Sequence, residues 1–293
     1  MKMRPSLTVV TGVTSGFGLE VVRHLAPRGH RLVLVARDRR RLDDLAADVS
    51  PTESTVLAAD LSSVSEVARV VRAIAALDRP IGLLVNNVGA VYGLRRRTSV
   101  DAIEATMALN HLAPFQLTTG LLDQLVAGRA RVVNVASDAY SFAGGRFDFD
   151  DWQGLGRYRP HRQYGRSKLA NILFTRELQR RHGHDGIETV AWSPAGLTAT
   201  RFGYGAHRLA PVAMKLTHPF ALDTTVAVRP LLELCEADLG ERVGRFVCGD
   251  HIHAVEPCVD DDAQRLWDLS EGVVSNALAD PGRRDRTSGA RPA

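Results

Sequence analysis

Short apolar segments alternate with longer amphipathic segments along most of this chain. The apolar segments are rich in valine and leucine, a pattern typical of strands buried on both faces of a parallel sheet. The predicted strands are Leu7–Val10, Arg31–Ala36, Thr55–Ala59, Ile81–Val85, Arg131–Ala136, Ile187–Trp192 and Arg245–Cys248. Between them, apolar residues recur three and four positions apart, which predicts helices. Strands and helices in alternation predict an α/β fold.

The predicted helices follow the strands closely. They cover 19–27, 39–48, 64–77, a long periodic segment within 99–126, a helix that carries Tyr164, and the segments 226–237 and 261–269. The length of 293 residues, with 45% hydrophobic and 24% charged residues, suits one large domain rather than two.

Composition argues against several other classes of protein. The formal net charge is only +4, and no aromatic residues are interleaved in the cluster Arg95–Arg97, so we expect no nucleic-acid binding. The three cysteines show no CxxC spacing, and the pairs His182/His184 and His251/His253 lack further metal ligands at suitable spacing. We expect both histidine pairs in surface loops and no metal site. The N-terminus lacks a signal-like apolar region and no segment is long enough to span a membrane, which predicts a cytoplasmic protein.

A glycine-rich turn follows the first predicted strand directly. Its sequence is Thr11-Gly12-Val13-Thr14-Ser15-Gly16-Phe17-Gly18, and a helix comes next. Glycines allow the backbone to approach a pyrophosphate, and the free N–H groups of a helix N-terminus hold its charge. The spacing differs from the Gly-x-Gly-x-x-Gly dinucleotide fingerprint, and three glycines can also form a plain turn. Its position after the first strand favours phosphate binding.

The residues after the second and third strands bear on cofactor choice. Arg37 follows the second strand, where a dinucleotide fold meets the adenosine ribose, and its guanidinium suits a 2′-phosphate. This favours NADP over NAD, the alternative being that Arg37 is solvated and Asp38 contacts the ribose. After the third strand, Asp60 could accept from the adenine amino group or start a turn with Ser62 and Ser63.

Polar residues also follow the fourth and fifth strands, at the edge of an open sheet where ligands bind. Asn86-Asn87-Val88-Gly89 ends the fourth strand. Asn110 interrupts the long helical segment, where it is either tolerated or frees a backbone carbonyl to hold a water. Ser137 follows the fifth strand and either caps a turn or presents its hydroxyl to a substrate carbonyl.

Tyr164 and Lys168 lie four residues apart on a predicted helix, so their side chains share one face. Lysine is scarce, because the chain has only Lys2 and Lys215 besides this one. An ammonium beside a phenol favours the phenolate, and we therefore expect Lys168 to lower the pKa of Tyr164 toward the range where proton transfer is efficient.

Together these residues resemble the short-chain dehydrogenase/reductase family, from Leu7 to about Val274. The motifs stand in family order: Thr11-Gly12-x-x-x-Gly16-x-Gly18, Asp60-Leu61, Asn86-Asn87-x-Gly89, Asn110, Ser137 and Tyr164-x-x-x-Lys168. The resemblance implies a Rossmann-type, doubly wound, seven-stranded parallel sheet with helices on both faces, a nicotinamide cofactor, and a catalytic group of Asn110, Ser137, Tyr164 and Lys168. Implied cofactor contacts are Gly12, Thr14, Ser15, Gly16, Phe17, Gly18, Arg37, Asp60, Leu61, Asn87, Val88, Gly89, Tyr164, Lys168, Pro194, Gly196, Leu197 and Thr198.

Within the family the chain looks most like the retinol dehydrogenase and protochlorophyllide reductase-like branch, through Ala59–Ser63, Val132–Ser137 and Ser167–Phe174. Two departures stand out. Val88 replaces the usual alanine, and Pro194-Ala195-Gly196 replaces the usual Pro-Gly, so that Thr198 or Thr200 would supply the contact to the nicotinamide amide.

The sequence therefore predicts a catalytic domain over 1–279, with a substrate lid around 197–223 and a disordered tail over 280–293. The expected reaction is NADPH-dependent reduction of a ketone or aldehyde, a small-molecule substrate. Alcohol oxidation with NADP, and a dinucleotide-binding regulator without turnover, are the alternatives. Aromatic residues in the irregular segments favour a bulky apolar substrate such as a polyketide, terpenoid or retinoid-like compound; they are Tyr140, Phe142, Trp152, Phe202 and Tyr204.

Overall fold

The computed structural model describes residues 6–49, 52–195, 223–255 and 260–279. Its centre is one eight-stranded sheet with the strand order β3-β2-β1-β4-β5-β6-β7-β8. The strands are β1 (Leu7–Thr11), β2 (Arg31–Ala36), β3 (Ser54–Ala58), β4 (Ile81–Asn86), β5 (Arg131–Val135), β6 (Glu188–Ser193), β7 (Phe246–Cys248) and β8 (His251–His253). The order reverses between β1 and β4, which places the ligand-binding crevice of a doubly wound fold at the carboxyl ends of these two strands.

The prediction of seven parallel strands is wrong by one strand. The first seven strands are parallel to their neighbours, whereas β8 pairs antiparallel to β7 with His253 opposite Phe246. Gly249 lies between the two strands with a φ of +63°, so the chain can reverse within two residues. His251 and His253, which we expected in a loop, therefore lie in an exposed edge strand.

Helices cover both faces of the sheet. The helices are α1 (Gly16–Leu25), α2 (Arg39–Asp48), α3 (Val64–Ala75), α4 (Ala105–Met107), α5 (Ala113–Thr119), α6 (Leu122–Ala127), α7 (Pro160–His182), α8 (Thr224–Ala227), α9 (Arg229–Glu236) and α10 (Asp260–Ala279). One core packs α1, α2 and α9 against the sheet. The other packs α3, α5, α7 and α10 against the opposite face, and the doubly wound α/β fold is thereby confirmed.

The long helical segment predicted within 99–126 is broken into several elements. Thr98 and Glu104 form an isolated β-bridge, and α4 then runs through a π-helical turn, Ala108–Leu112, into α5. Pro114 has no N–H to donate to the Asn110 carbonyl four residues earlier, so the regular hydrogen-bond ladder is interrupted at this point. The break leaves Asn110 in the π-helical turn.

The other bounds differ in smaller ways. The helix predicted from 261 continues to Ala279, and the segment predicted as one helix over 226–237 is divided between α8 and α9. Across the described ranges, no helix is both long and apolar enough to span a membrane. Most of the predicted lid and the whole predicted tail lie outside the described residues, so those two assignments stay predictions.

Candidate active site

The glycine turn between β1 and α1 is closely packed against the end of β4. Gly12 and Gly16 adopt φ values of +70° and +60°, which L side chains rarely adopt. A β-carbon on Gly18 would come within 2.5 Å of the Gly12 carbonyl oxygen and of the Asn87 side-chain nitrogen. Ser15, at the N-cap of α1, makes no side-chain hydrogen bond to the helix. The N–H groups of the first turn are therefore available to an anion, and these residues fit the pyrophosphate of a dinucleotide.

Asn87 ties this turn to the end of β4. Its side-chain nitrogen donates to the carbonyl oxygens of Thr11 (2.9 Å) and Gly12 (3.2 Å). The Thr11 hydroxyl accepts in return from the backbone N–H groups of Asn87 (3.0 Å) and Val88 (3.1 Å). Two neighbouring strand ends are thus held together at the switch point, with Val88 and Gly89 half-buried beside them.

Two residues predicted to contact the cofactor have side chains that are buried in the core. Phe17 is buried and packs edge-to-face against Trp192, with ring centroids 5.2 Å apart. Leu61 is buried in the core under α3. Only their backbones can serve a cofactor, whereas the half-buried Thr14 leaves its side chain accessible.

The residues after β2 include several arginines and one carboxylate that caps a helix. Asp38 caps α2, because its Oδ1 accepts from the Arg41 N–H at 3.2 Å and its Oδ2 pairs with the Arg41 guanidinium at 3.4 Å. Arg39 pairs with Asp43 at 2.9 Å. Arg37 lies exposed at the end of β2. Asp38 is therefore engaged as a helix cap, whereas the Arg37 side chain is exposed to solvent.

Asp60 forms the turn that we considered as its alternative role. Its Oδ1 accepts from the Ser62 N–H at 3.0 Å and from the Ser62 hydroxyl at 2.8 Å, and its backbone carbonyl accepts from Ser63. The residue remains exposed at the edge of the crevice, so the turn and an adenine contact are compatible.

Asn110 is fully buried and its side chain is fully used. Its Oδ1 accepts from the Ala90 N–H at 2.8 Å, and its Nδ2 donates to the Ala90 carbonyl and to the Ser167 hydroxyl, both at 3.0 Å. The side chain thus links the loop after β4 to α7. Because Pro114 provides no N–H, the Asn110 backbone carbonyl lacks its regular helical donor.

Ser137 takes the first of the two roles considered for it, the capping of a turn. It caps a short 3₁₀ helix, Asp138–Ala143, because its hydroxyl oxygen accepts from the Ala139 N–H at 3.2 Å. The same hydroxyl is hydrogen-bonded to Tyr164. The position after β5 therefore brings the serine to the phenol.

Tyr164 and Lys168 lie together on α7. The Lys168 Nζ is 5.6 Å from the centre of the Tyr164 ring, and it donates to the Val135 carbonyl at 2.8 Å. Burial lowers the pKa of Lys168 to about 7. Burial also raises the pKa of Tyr164 well above its ordinary value, and the hydrogen bond with Ser137 acts in the opposite direction. The expected lowering of the Tyr164 pKa by Lys168 is wrong in this structure, because desolvation raises that pKa.

The remaining predicted positions are the nicotinamide contacts after β6 and the aromatic residues expected around the substrate. Pro194 is described, whereas Gly196, Leu197, Thr198 and Thr200 lie outside the described residues, as do Phe202 and Tyr204. Tyr140 packs edge-to-face on Phe246, Trp152 packs against the core, and Phe142 is exposed beside His161.

One polar residue that the sequence analysis did not single out lies beneath the site. Glu104 is fully buried and hydrogen-bonds to groups on α4, on α7 and in the segment before α7. The sequence did contain a signal for this residue, because Glu104 is a carboxylate between the apolar residues Ile103 and Ala105. A buried carboxylate is rare enough to need a specific set of donors.

Comparison with known proteins agrees with this geometry. A family model described as short chain dehydrogenase matches residues 6–148. Retinol dehydrogenase 13 of Mus musculus is 32% identical over 292 residues, which cover 94% of this chain and 86% of that protein. The chain belongs to the short-chain dehydrogenase/reductase family. Retinol dehydrogenase 12 of Mus musculus, 31% identical over 90% of this chain and 84% of its own length, places it in the retinol dehydrogenase-like branch of this oxidoreductase family.

Solved structures of similar proteins share the fold over nearly the whole chain. An uncharacterized protein from Mycobacterium paratuberculosis superposes with a TM-score of 0.73 at 28% identity, covering 93% of this chain and 94% of that one. A short-chain dehydrogenase from Sphingobium yanoikuyae, solved in complex with NADPH, has a TM-score of 0.65 at 26% identity. The match covers 98% of this chain and 97% of that one. This short-chain dehydrogenase/reductase therefore shares both the domain and its extent with them.

Proposed function

We propose that this protein is an NADPH-dependent reductase of ketones or aldehydes. The observation that carries the proposal is the pair of hydroxyls at the end of the sheet, Ser137 and Tyr164, hydrogen-bonded to each other with Lys168 beneath the phenol ring. Because the pKa of Tyr164 is raised, the phenol holds its proton at neutral pH. A protonated phenol can donate to a developing alkoxide, as carbonyl reduction requires.

The residues that would hold the dinucleotide lie along one crevice. The N-terminus of α1 with Gly12 and Gly16 would bind the pyrophosphate, and Asp60 and the Val88–Gly89 backbone would flank the adenosine. Arg37 would bind the 2′-phosphate through forked, charge-assisted hydrogen bonds, since Asp38 is engaged as a helix cap. This supports NADPH over NADH.

The bound cofactor would supply the hydride to the carbonyl carbon. Ser137 would donate a hydrogen bond to the carbonyl oxygen and orient it, while Tyr164 would transfer its proton to the same oxygen as negative charge develops there. Lys168 would bind the ribose hydroxyls with its ammonium, exchanging its bond to the Val135 carbonyl. A water held on the Asn110 carbonyl would return a proton through Lys168.

The substrate class follows from what surrounds the hydroxyl pair. Phe142 is exposed at the rim and Tyr140 is half-buried next to it, which supports a bulky apolar aldehyde or ketone. The similarity to proteins named retinol dehydrogenases favours a second candidate, alcohol oxidation by the same residues. The cytoplasm remains the proposed location.

The test is Tyr164→Phe, which removes only the hydroxyl. We expect NADPH binding, measured by quenching of tryptophan fluorescence, to be retained. Turnover of NADPH with a panel of aldehydes and ketones should fall by ~10² to 10⁴-fold, the usual contribution of a positioned general acid. Substantial turnover by the variant on a good substrate would refute the assignment, and activity with NADP and alcohols alone would favour the oxidative candidate.

A further inference from the structure

Glu104 is a buried carboxylate that the proposed chemistry does not use. It is 0% exposed and accepts three hydrogen bonds. Its Oε2 accepts from the Met107 N–H at 2.8 Å and from the Gln163 side-chain amide at 3.1 Å, and its Oε1 accepts from the Tyr158 hydroxyl at 3.1 Å. A buried carboxylate with such partners is held in one orientation, because each lost bond would leave a charged group desolvated.

The first two bonds join the elements that carry the proposed catalytic residues. By accepting from Met107, Glu104 caps α4, which leads directly into the π-helical turn with Asn110. By accepting from Gln163, it holds the residue that precedes Tyr164 on α7. One carboxylate therefore joins these two elements, in addition to the hydrogen bond from Asn110 to Ser167.

The third bond extends the junction to the segment before α7. Tyr158 belongs to this segment, and Gln163 also donates to the Trp152 carbonyl at 2.8 Å. Arg166, one turn further along α7, donates to the Asp151 carbonyl at 2.7 Å and pairs with Asp148 at 2.5 Å. The segment 148–158 is thus attached to the same face of α7 that Glu104 contacts.

Residue size explains why a glutamate stands here. Asn, Asp, Ser and Thr are the usual N-cap residues, and an aspartate would suffice to cap α4. Its carboxylate would be retracted by one carbon–carbon bond, about 1.5 Å, and bonds of 3.1 Å to Tyr158 and Gln163 would exceed hydrogen-bond distance. The extra methylene is what lets one residue cap α4 and also reach α7.

We infer that Glu104 is a positioning residue, which fixes Tyr164 relative to Asn110 by bridging α4 and α7. The inference rests on the proposed reductase function. Small displacements of reacting groups are costly, and a misplacement of about 1 Å can reduce a rate by about 10²-fold. Loss of the Glu104 bridge should therefore lower the rate of the chemical step and leave the affinity for the cofactor unchanged.

Glu104→Asp tests this positioning role. The variant keeps the charge and the helix cap, but its shorter side chain no longer reaches Tyr158 and Gln163. With the full-length enzyme and its best carbonyl substrate, we expect kcat to fall by ~10 to 10²-fold. The KM for NADPH should stay within about twofold, since the proposed pyrophosphate and 2′-phosphate contacts are not altered. Tyr158→Phe removes one of the bonds and should reduce kcat by roughly 2- to 10-fold, as expected for a single hydrogen bond.

Thr189→Val is the matched control, because it removes buried hydrogen bonds to Thr175 and Gln179 at the other end of α7. At an equal loss of Tm, this control should keep kcat near the parent value. Parent-like kcat in Glu104→Asp and Tyr158→Phe would overturn the inference, as would a kcat loss that the control reproduces. A parent enzyme without turnover on any carbonyl would instead refute the proposed function.

Discussion

We expect His111 to make the stability of this protein sensitive to mild acid. The ring is buried among Phe115 and Phe174, and its Nε2 lies 2.9 Å from the Ser270 hydroxyl oxygen. Because Ser270 donates its own proton to the Leu266 carbonyl, the Nε2 atom must be the donor in that bond. Burial lowers the pKa of His111 from 6.5 to about 4, with the Asn171 side chain acting in the opposite direction.

The sign and size of the change in the free energy of unfolding follow from the difference between the folded and unfolded pKa of His111. Well above pH 6.5 the ring is neutral in both the folded and the unfolded chain and contributes no pH dependence. Between pH 6.5 and 4 the unfolded chain binds the proton more tightly, so stability falls as the pH falls. With a folded-state pKa of about 4, the free energy of unfolding should decrease by about 2 kcal/mol between pH 7.5 and pH 5 through this residue alone.

Urea unfolding at pH 7.5, 6.5, 5.5 and 5.0 would measure this loss in the parent and in His111→Asn. The variant is expected to be less stable at pH 7.5 but to lack the contribution of about 2 kcal/mol to the pH dependence. Ser270→Ala is the control, because it removes the hydrogen bond and keeps the imidazole. Equal pH dependence in the parent and His111→Asn would show that the ring is protonated without cost, and would refute the reasoning.

Two further predictions concern the cofactor. Arg37→Asp should shift the kcat/KM ratio of NADPH to NADH by about 10- to 150-fold toward NADH, because a charge-assisted hydrogen bond worth ~1.5 to 3 kcal/mol is lost. An unchanged ratio would show that Arg37 does not contact the 2′-phosphate. Because burial lowers the pKa of Lys168 to about 7, and an anionic dinucleotide binds an ammonium better than an amine, NADPH affinity should weaken above pH 7 by up to about tenfold per pH unit. Calorimetric titrations from pH 6 to 9 should show this step in the parent, and its persistence in Lys168→Met would exclude Lys168 as the cause.

The sequence predicted the sheet well because its strands are buried. Continuous apolar runs such as Leu32–Ala36 have no polar position to place on a solvent face, and the strand Arg31–Ala36 that contains this run begins and ends as expected. The edge strand His251–His253 carried no such signal, because three exposed residues are too few for a period-2 pattern. Pro114, by contrast, was readable, since a proline four residues after Asn110 already indicates a break in the helix.

The identities of the proposed site residues could be predicted, but not their electrostatics. Spacing alone placed Tyr164 and Lys168 on one face of a helix. The pKa directions of both groups depend on burial, which is decided by distant segments that pack over them. The role of Glu104 was hidden for the same reason, because Gln163 and Tyr158 lie 59 and 54 residues away along the chain.

The central position of β1 has a consequence for biosynthesis. Leu7 pairs with Arg31 on one side and with Ile81 on the other. A ribosome adding 5 to 20 residues per second needs roughly 4 to 15 s to make the stretch from β1 to β4. During that interval one side of the nascent strand Leu7–Thr11, entirely apolar or β-branched, has no partner. We expect this window to be when the nascent chain most needs protection by a chaperone.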